Sequence, residues 1–104
     1  KICPPSCCDM RGLLSFMVLW LLRKKSMYGE EIATELEKMK GNKPSPGTIY
    51  PALKQLQGNC LIISHKEGSK VIYSLTDKGR TAVNEAIDYF INAFGCILNE
   101  SRKE

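Results

Sequence analysis

Residues 43–56 read Lys-Pro-Ser-Pro-Gly-Thr-Ile-Tyr-Pro-Ala-Leu-Lys-Gln-Leu, and this stretch decides the fold. Ser45 is a good helix N-cap, and Pro46 suits the first helical position, whose N–H has no partner inside a helix. Ile49, Leu53 and Leu56 follow at helical spacing and predict a buried stripe, with Ala52 beside it. Pro51 admits two readings, because a proline six positions into a helix has no N–H to donate. Either the helix that starts after Ser45 is distorted there, or Thr48 is the cap and Pro51 falls in the permissive first turn.

Working outward, residues 29–40 predict an amphipathic helix. Ile32, Leu36 and Met39 share a face, Glu30 and Glu31 sit in the first turn, and Lys38 and Lys40 in the last, as the helix dipole favours. Gly41-Asn42 ends it. Residues 41–44 thus join two helices by a short turn. Beyond the quoted stretch, residues 61–66 and 70–75 predict two strands. The second alternates, with Val71, Tyr73 and Leu75 on one face and Lys70, Ile72 and Ser74 on the other. Glu67-Gly68-Ser69 supplies a hairpin turn.

A helix over residues 11–25 precedes these elements, and its apolar residues nearly encircle it. Such a helix must be covered on all sides, which asks for a second chain. Thr76 caps a last helix over residues 77–99. Val83, Ile87, Phe90, Phe94 and Ile97 are spaced as a heptad seam, and Tyr89, Ile91 and Leu98 widen it. The expected dimer interface is therefore Phe16, Trp20, Val83, Ile87, Phe90, Phe94 and Ile97.

The order helix, helix, short turn, helix, hairpin, long helix is that of a winged helix-turn-helix. The expected fold is mainly α with a small β-hairpin, in three parts. Residues 1–10 form a Cys/Pro-rich arm, 11–76 the winged helix-turn-helix domain, and 77–104 a C-terminal dimerisation helix. In this motif the third helix offers its first turns to the DNA major groove. The expected DNA-binding residues are Lys43, Ser45, Pro46, Thr48, Tyr50 and Lys54, with Lys66 and Lys70 beside the hairpin tip. A dimer would read a pseudo-palindromic operator in double-stranded DNA, with half-sites about one helical turn, or a multiple, apart.

At these residues the sequence resembles the PadR family of winged-helix transcriptional regulators. The resemblance rests on residues 43–56, on Leu61-Ile62, and on Tyr73-Ser-Leu-Thr-Asp-Lys-Gly79. Arg11-Gly-Leu-Leu and Tyr28-Gly29 are also similar to the family pattern, so the likeness runs from residue 11 to about 80. It implies a dimeric DNA-binding repressor whose last helix dimerises with help from the first. Two positions depart from the pattern. Cys60 stands where the family usually has Gly, and Asn59 is expected to supply the left-handed turn instead. Glu30 stands where the family tends to carry an aromatic.

Composition agrees with a small regulator. The chain has 104 residues, 43% of them hydrophobic and 25% charged, with a formal net charge of +4. Residues 23–54 hold seven Lys/Arg against four Asp/Glu, so the positive excess sits around the helix-turn-helix. That balance suits an anionic partner. The longest apolar run, residues 13–22, is too short for a membrane span, which needs ~20 residues. No secretory signal is visible near residue 1, so the expected location is cytoplasmic. An enzyme is not expected: His65, the sole histidine, lies in a predicted strand, and no phosphate loop or carboxylate pair stands out.

Five cysteines include Cys3, Cys7 and Cys8 at the start, with Cys60 and Cys96 elsewhere. Three readings of the first three stand open: small buried apolar side chains, a disulfide or redox switch, or a metal or cluster site that Cys60 or Cys96 of the same or another subunit would complete. No cofactor is required by the sequence. A ligand or redox signal would release the repressor, and a small-molecule effector would bind between helices of two subunits. The rival function is a winged-helix protein–protein adaptor that does not touch DNA.

Overall fold

In the computed structural model, residues 10–103 are described. They form α1 (Met10–Leu22), β1 (Met27–Tyr28), α2 (Gly29–Lys40), α3 (Pro46–Gly58), β2 (Ile62–Glu67), β3 (Lys70–Leu75) and α4 (Asp77–Lys103). The fold is mainly helical with a small antiparallel sheet, a winged helix-turn-helix followed by a long C-terminal helix. The sheet order is β1-β3-β2, so the wing hairpin gains a third strand from ahead of the helix-turn-helix.

That third strand was not expected. Met27 pairs with Tyr73 and Tyr28 with Ile72, which covers the free edge of β3. It also explains why α1 ends at Leu22, short of the predicted residue 25. Residues 23–25 must turn the chain from helix axis to sheet edge, and Arg23 and Lys24 close that turn with N–H bonds to Leu19 and Leu21.

The core lies where α1, α2, α3 and the sheet meet. Val18, Ile32, Leu36, Ile49, Leu53, Ile62 and Val83 are its most completely buried large side chains. Ile32 with Leu36, and Ile49 with Leu53, each recur one turn apart, so the buried faces of α2 and α3 are those the spacing predicts. Burial of these aliphatic side chains stabilises the fold by about 1.5–3 kcal/mol each.

Ser45 is the N-cap of α3, and its carbonyl accepts the N–H groups of Thr48 and Ile49 at 2.9 and 3.0 Å. The helix runs unbroken through Pro51, so the reading with Thr48 as cap is excluded. Pro51 has no N–H for the Gly47 carbonyl one turn back.

The far end of α3 corrects a second expectation. Asn59 has φ −92°, while Cys60 takes the left-handed conformation with φ +63°. The Cys60 N–H bonds to the Gln57 carbonyl and the Leu61 N–H to the Leu56 carbonyl, both at 3.0 Å. That pair of bonds is a Schellman cap, whose left-handed residue is by its hydrogen-bond register Cys60 and not Asn59.

The start of α4 is fastened to the same cap. The Thr76 hydroxyl donates to the Cys60 carbonyl at 2.6 Å and accepts the Gly79 N–H at 2.9 Å. The Thr76 N–H bonds to the Leu61 carbonyl at 3.1 Å. Gly79 is buried against that carbonyl: a Cβ there would lie 1.9 Å from the Leu61 oxygen.

Along α4 the seam divides. Val83, expected at a dimer interface, is 0% exposed and fully covered by its own chain. Ile87 is partly buried against the same core. Phe90 stacks on Phe94 at a ring-centroid distance of 5.0 Å and meets Phe16 at a tilt, 4.5 Å away. Beyond it Phe94, Ile97 and Leu98 are exposed, as are Tyr89 and Ile91.

Candidate nucleic-acid interface

The outer face of α3 carries the sequence-predicted site. Ser45, Pro46, Thr48, Tyr50 and Lys54 are all exposed, while Ile49, Leu53 and Leu56 on the opposite face are buried. Ser45 Oγ and Thr48 Oγ1 lie 3.2 Å apart, so the two hydroxyls form one polar corner at the helix start.

Tyr50 is only partly free. Its ring lies across the start of α2, so that a Cβ on Gly29 would come within 2.8 Å of the hydroxyl. A side chain at position 29 would push the Tyr50 ring aside, so glycine there permits the close approach. Tyr73, behind it, is nearly buried, and burial pushes its phenol above the ordinary value, with Tyr50 adding to the rise.

Lys66 and Lys70 lie exposed on the wing. Among the described residues neither they nor Lys54 have a carboxylate within 4.0 Å, so the three ammonium groups face outward without a counter-ion. The Lys70 ammonium sits 5.1 Å from the centroid of the Tyr28 ring. Lys43 is different: its ammonium donates to Glu30 Oε2 at 2.8 Å. That hydrogen bond, with the charge behind it, holds the Glu30 carboxyl below its usual range and lifts Lys43 above its own.

Tyr28 carries a role that its place in the sequence does not announce. Its N–H donates to Glu31 at 2.9 Å, which caps α2, and its hydroxyl donates to Glu67 at 3.1 Å, near the wing tip. It therefore ties the wing to the helix-turn-helix. The bond to Glu67 raises the Tyr28 phenol above its ordinary value, the nearby carboxylate charge adding to the effect. A second tie runs from the Gln57 amide to the Ser64 hydroxyl at 2.8 Å, between α3 and β2. The signal for the first was the Tyr28-Gly29 pair itself; its partner Glu67 is 39 residues away and invisible to local pattern.

A pocket was expected only between subunits. The single chain already has an open cleft of about 1050 Å³, bordered by Trp20, Tyr28, Tyr50, Lys70 and Tyr73 among others. Trp20 carries two cations near its ring, Lys24 at 4.8 Å and Arg23 at 5.4 Å. Cys3, Cys7 and Cys8 lie outside the described residues. Among the described residues Cys60 and Cys96 are exposed free thiols, and no group of three metal-ligating side chains comes together. No helix among them is long and apolar enough to cross a membrane.

A third full helix with one face exposed, a three-stranded wing tied to it and a long trailing helix define a winged helix-turn-helix protein. The profile of the transcriptional regulator PadR-like family matches residues 18–85. The chain belongs to that family, whose members are transcriptional regulators and not enzymes. It is 38% identical over 77 residues to the transcriptional regulator YqjI of Escherichia coli strain K12; the match takes in 71% of this chain and 37% of that protein. This chain thus spans about a third of the length of that curated relative. Among solved structures, RosR of H. salinarum superposes with a TM-score of 0.76 at 26% identity, covering 85% of this chain and 80% of the other. A PadR family transcription regulator from Clostridium difficile R20291 shares the fold, with a TM-score of 0.75 at 24% identity over 86% and 97% of the two chains.

Proposed function

We propose that this regulator is a homodimer that binds a pseudo-palindromic operator in double-stranded DNA and represses transcription, in the cytoplasm. The observation that carries the reading is the two-sidedness of α3. Its apolar side is consumed by the core, and its other side leaves Ser45, Pro46, Thr48 and Lys54 open to a partner. The partner fits a polyanion, because Lys54, Lys66 and Lys70 stand on that helix and the adjoining wing without counter-ions among the described residues. Helix α3 enters the major groove, and the wing cations meet flanking phosphates.

The exposed end of α4 supports the dimer. Phe94, Ile97 and Leu98 are each between 45% and 62% exposed, on a helix that extends past its own core. A second copy covers that face, and the pairing of two reading heads sets the half-site spacing. A ligand or redox signal that favours the wrong spacing releases the operator.

The test is selection of bound duplexes from a random pool, followed by a salt titration of the recovered site. A two-fold site whose affinity falls steeply with salt is expected. No enrichment, or weak binding indifferent to salt, refutes the reading in favour of a protein–protein adaptor.

A further inference from the structure

The Glu30–Lys43 pair adjoins the surface just assigned to DNA, beside Ser45 and Pro46 at the start of α3. Both side chains border a hollow of about 340 Å³ between the starts of α2 and α3, together with Ser45, Pro46 and Tyr50. Glu30 is not needed to cap α2, because Glu31 already takes the Tyr28 N–H. Nor does it serve the core, since its side chain is 77% exposed. What it does contact is Lys43, at 2.8 Å, a distance typical of an ammonium on a phosphate or carboxylate oxygen. The carboxylate occupies the place against Lys43 that a DNA phosphate would take.

We infer that Glu30 is an internal competitor for DNA phosphate, withholding Lys43 and thereby setting how tightly this chain holds a duplex. The inference rests on the DNA-binding reading above. A duplex approaching α3 either displaces the carboxylate, losing the pair, or leaves it in place and forgoes one phosphate. In either case binding is weaker than Lys43 alone would make it. The negative charge also repels the neighbouring backbone, an effect that screening by salt reduces. No comparable competitor acts on Lys54 or Lys66, which have no carboxylate within 4.0 Å among the described residues.

The experiment is a four-protein cycle: wild type, Glu30→Gln, Lys43→Gln and the double variant. Each is titrated by fluorescence anisotropy against a mixed-sequence duplex about three helical turns long, over a series of salt concentrations. Glu30→Gln is expected to tighten binding roughly threefold to tenfold at low salt, the scale of one unit-charge interaction at close range in water. Its plot of log affinity against log salt should steepen by about 0.9 for each additional phosphate that Lys43 neutralises. Lys43→Gln should cost more in the Glu30→Gln background, where it removes the phosphate contact and returns the gain, than in the wild type, where it bares the Glu30 charge to the duplex. Circular dichroism melts check that all four proteins are folded. If Lys43→Gln weakens binding equally in both backgrounds, or Glu30→Gln does not tighten it, the inference is overturned while the DNA reading stands. If none of the folded proteins binds duplex DNA, both are overturned.

Discussion

Gly79→Ala tests the junction between the recognition helix and the long helix. A Cβ at position 79 would lie 1.9 Å from the Leu61 oxygen, 2.9 Å from the Leu61 carbonyl carbon and 2.9 Å from Leu75 Cδ2. Real contacts of a Cβ essentially never fall below 3.0 Å, so the Leu61 carbonyl must retreat by more than 1 Å. That carbonyl accepts the Thr76 N–H at 3.1 Å and follows the Cys60 carbonyl held by the Thr76 hydroxyl at 2.6 Å, so it cannot move alone. Overpacking of this kind costs about 1–3 kcal/mol. Loss of one backbone hydrogen bond adds about 1 kcal/mol. Alanine's better helix propensity returns about 1 kcal/mol. The net destabilisation is therefore about 1–3 kcal/mol, or a fall in Tm of roughly 5–20 °C for a domain of this size. The assay is thermal unfolding followed by circular dichroism. Gly58→Ala is the control, because a Cβ there meets nothing within 4 Å, and it should melt at or slightly above the wild type. A Gly79→Ala protein that melts with the Gly58→Ala protein would refute the reasoning.

Cys60→Gly should raise stability by about 0.5–1 kcal/mol in urea unfolding, since glycine relieves the left-handed penalty but enlarges the unfolded ensemble; unchanged or lower stability would show the φ of +63° to be unstrained. Glu67→Gln should bring the Tyr28 phenol back down towards its ordinary value, seen as an earlier onset in an ultraviolet alkaline titration, while the nearly buried Tyr73 stays high. Because the folded Tyr28 pKa is raised, its hydrogen bond supports the fold below the unfolded phenol's pKa and is lost as pH climbs through the folded value. Phe94→Asp should leave the chain monomeric in analytical ultracentrifugation, where the proposed dimer predicts a two-chain wild type, with the circular dichroism spectrum intact, because Phe94 is 45% exposed; Val83→Asp, by contrast, should unfold the chain, since Val83 is 0% exposed. Lys54→Ala should lower duplex affinity at low salt without changing the assembly state, and equal affinity would remove it from the DNA contacts.

What was legible in the sequence was whatever repeats locally. The cap at Ser45, the buried stripe of α3, the bounds of α2 and the strand over residues 70–75 follow from spacing and from capping chemistry, and the structure places them there. The first wing strand differs by one residue at each end, starting at Ile62 and ending at Glu67. The β1 strand was illegible because two residues have no period; they are a strand only because β3 offers them an edge. Asn59 and Cys60 exchanged roles because a helix end is decided by which N–H reaches which carbonyl, and the Leu61-to-Leu56 bond fixes Cys60 as the left-handed residue. The heptad seam on α4 is apolar as its spacing predicts, but periodicity cannot say what covers each stretch, and Val83 proved to be core while Phe94 did not. Likewise Lys43 and Glu30 are thirteen residues apart, so their pairing is a product of the fold and not of either helix alone.

The Thr76 joint has a mechanical consequence. With 27 residues, α4 is about 40 Å long. Its near end is bolted to the carbonyls of Cys60 and Leu61, the residues that close the recognition helix, with no slack chain between. Farther along, Val83 and Ile87 seat the helix on the core and Phe90 meets Phe16. The stretch from Thr76 to Phe90 is about 20 Å of stiff helix, so it is held at two points and not hinged at one. A load on the outer half of α4 is therefore shared between α1, through Phe16, and the end of α3, through Thr76.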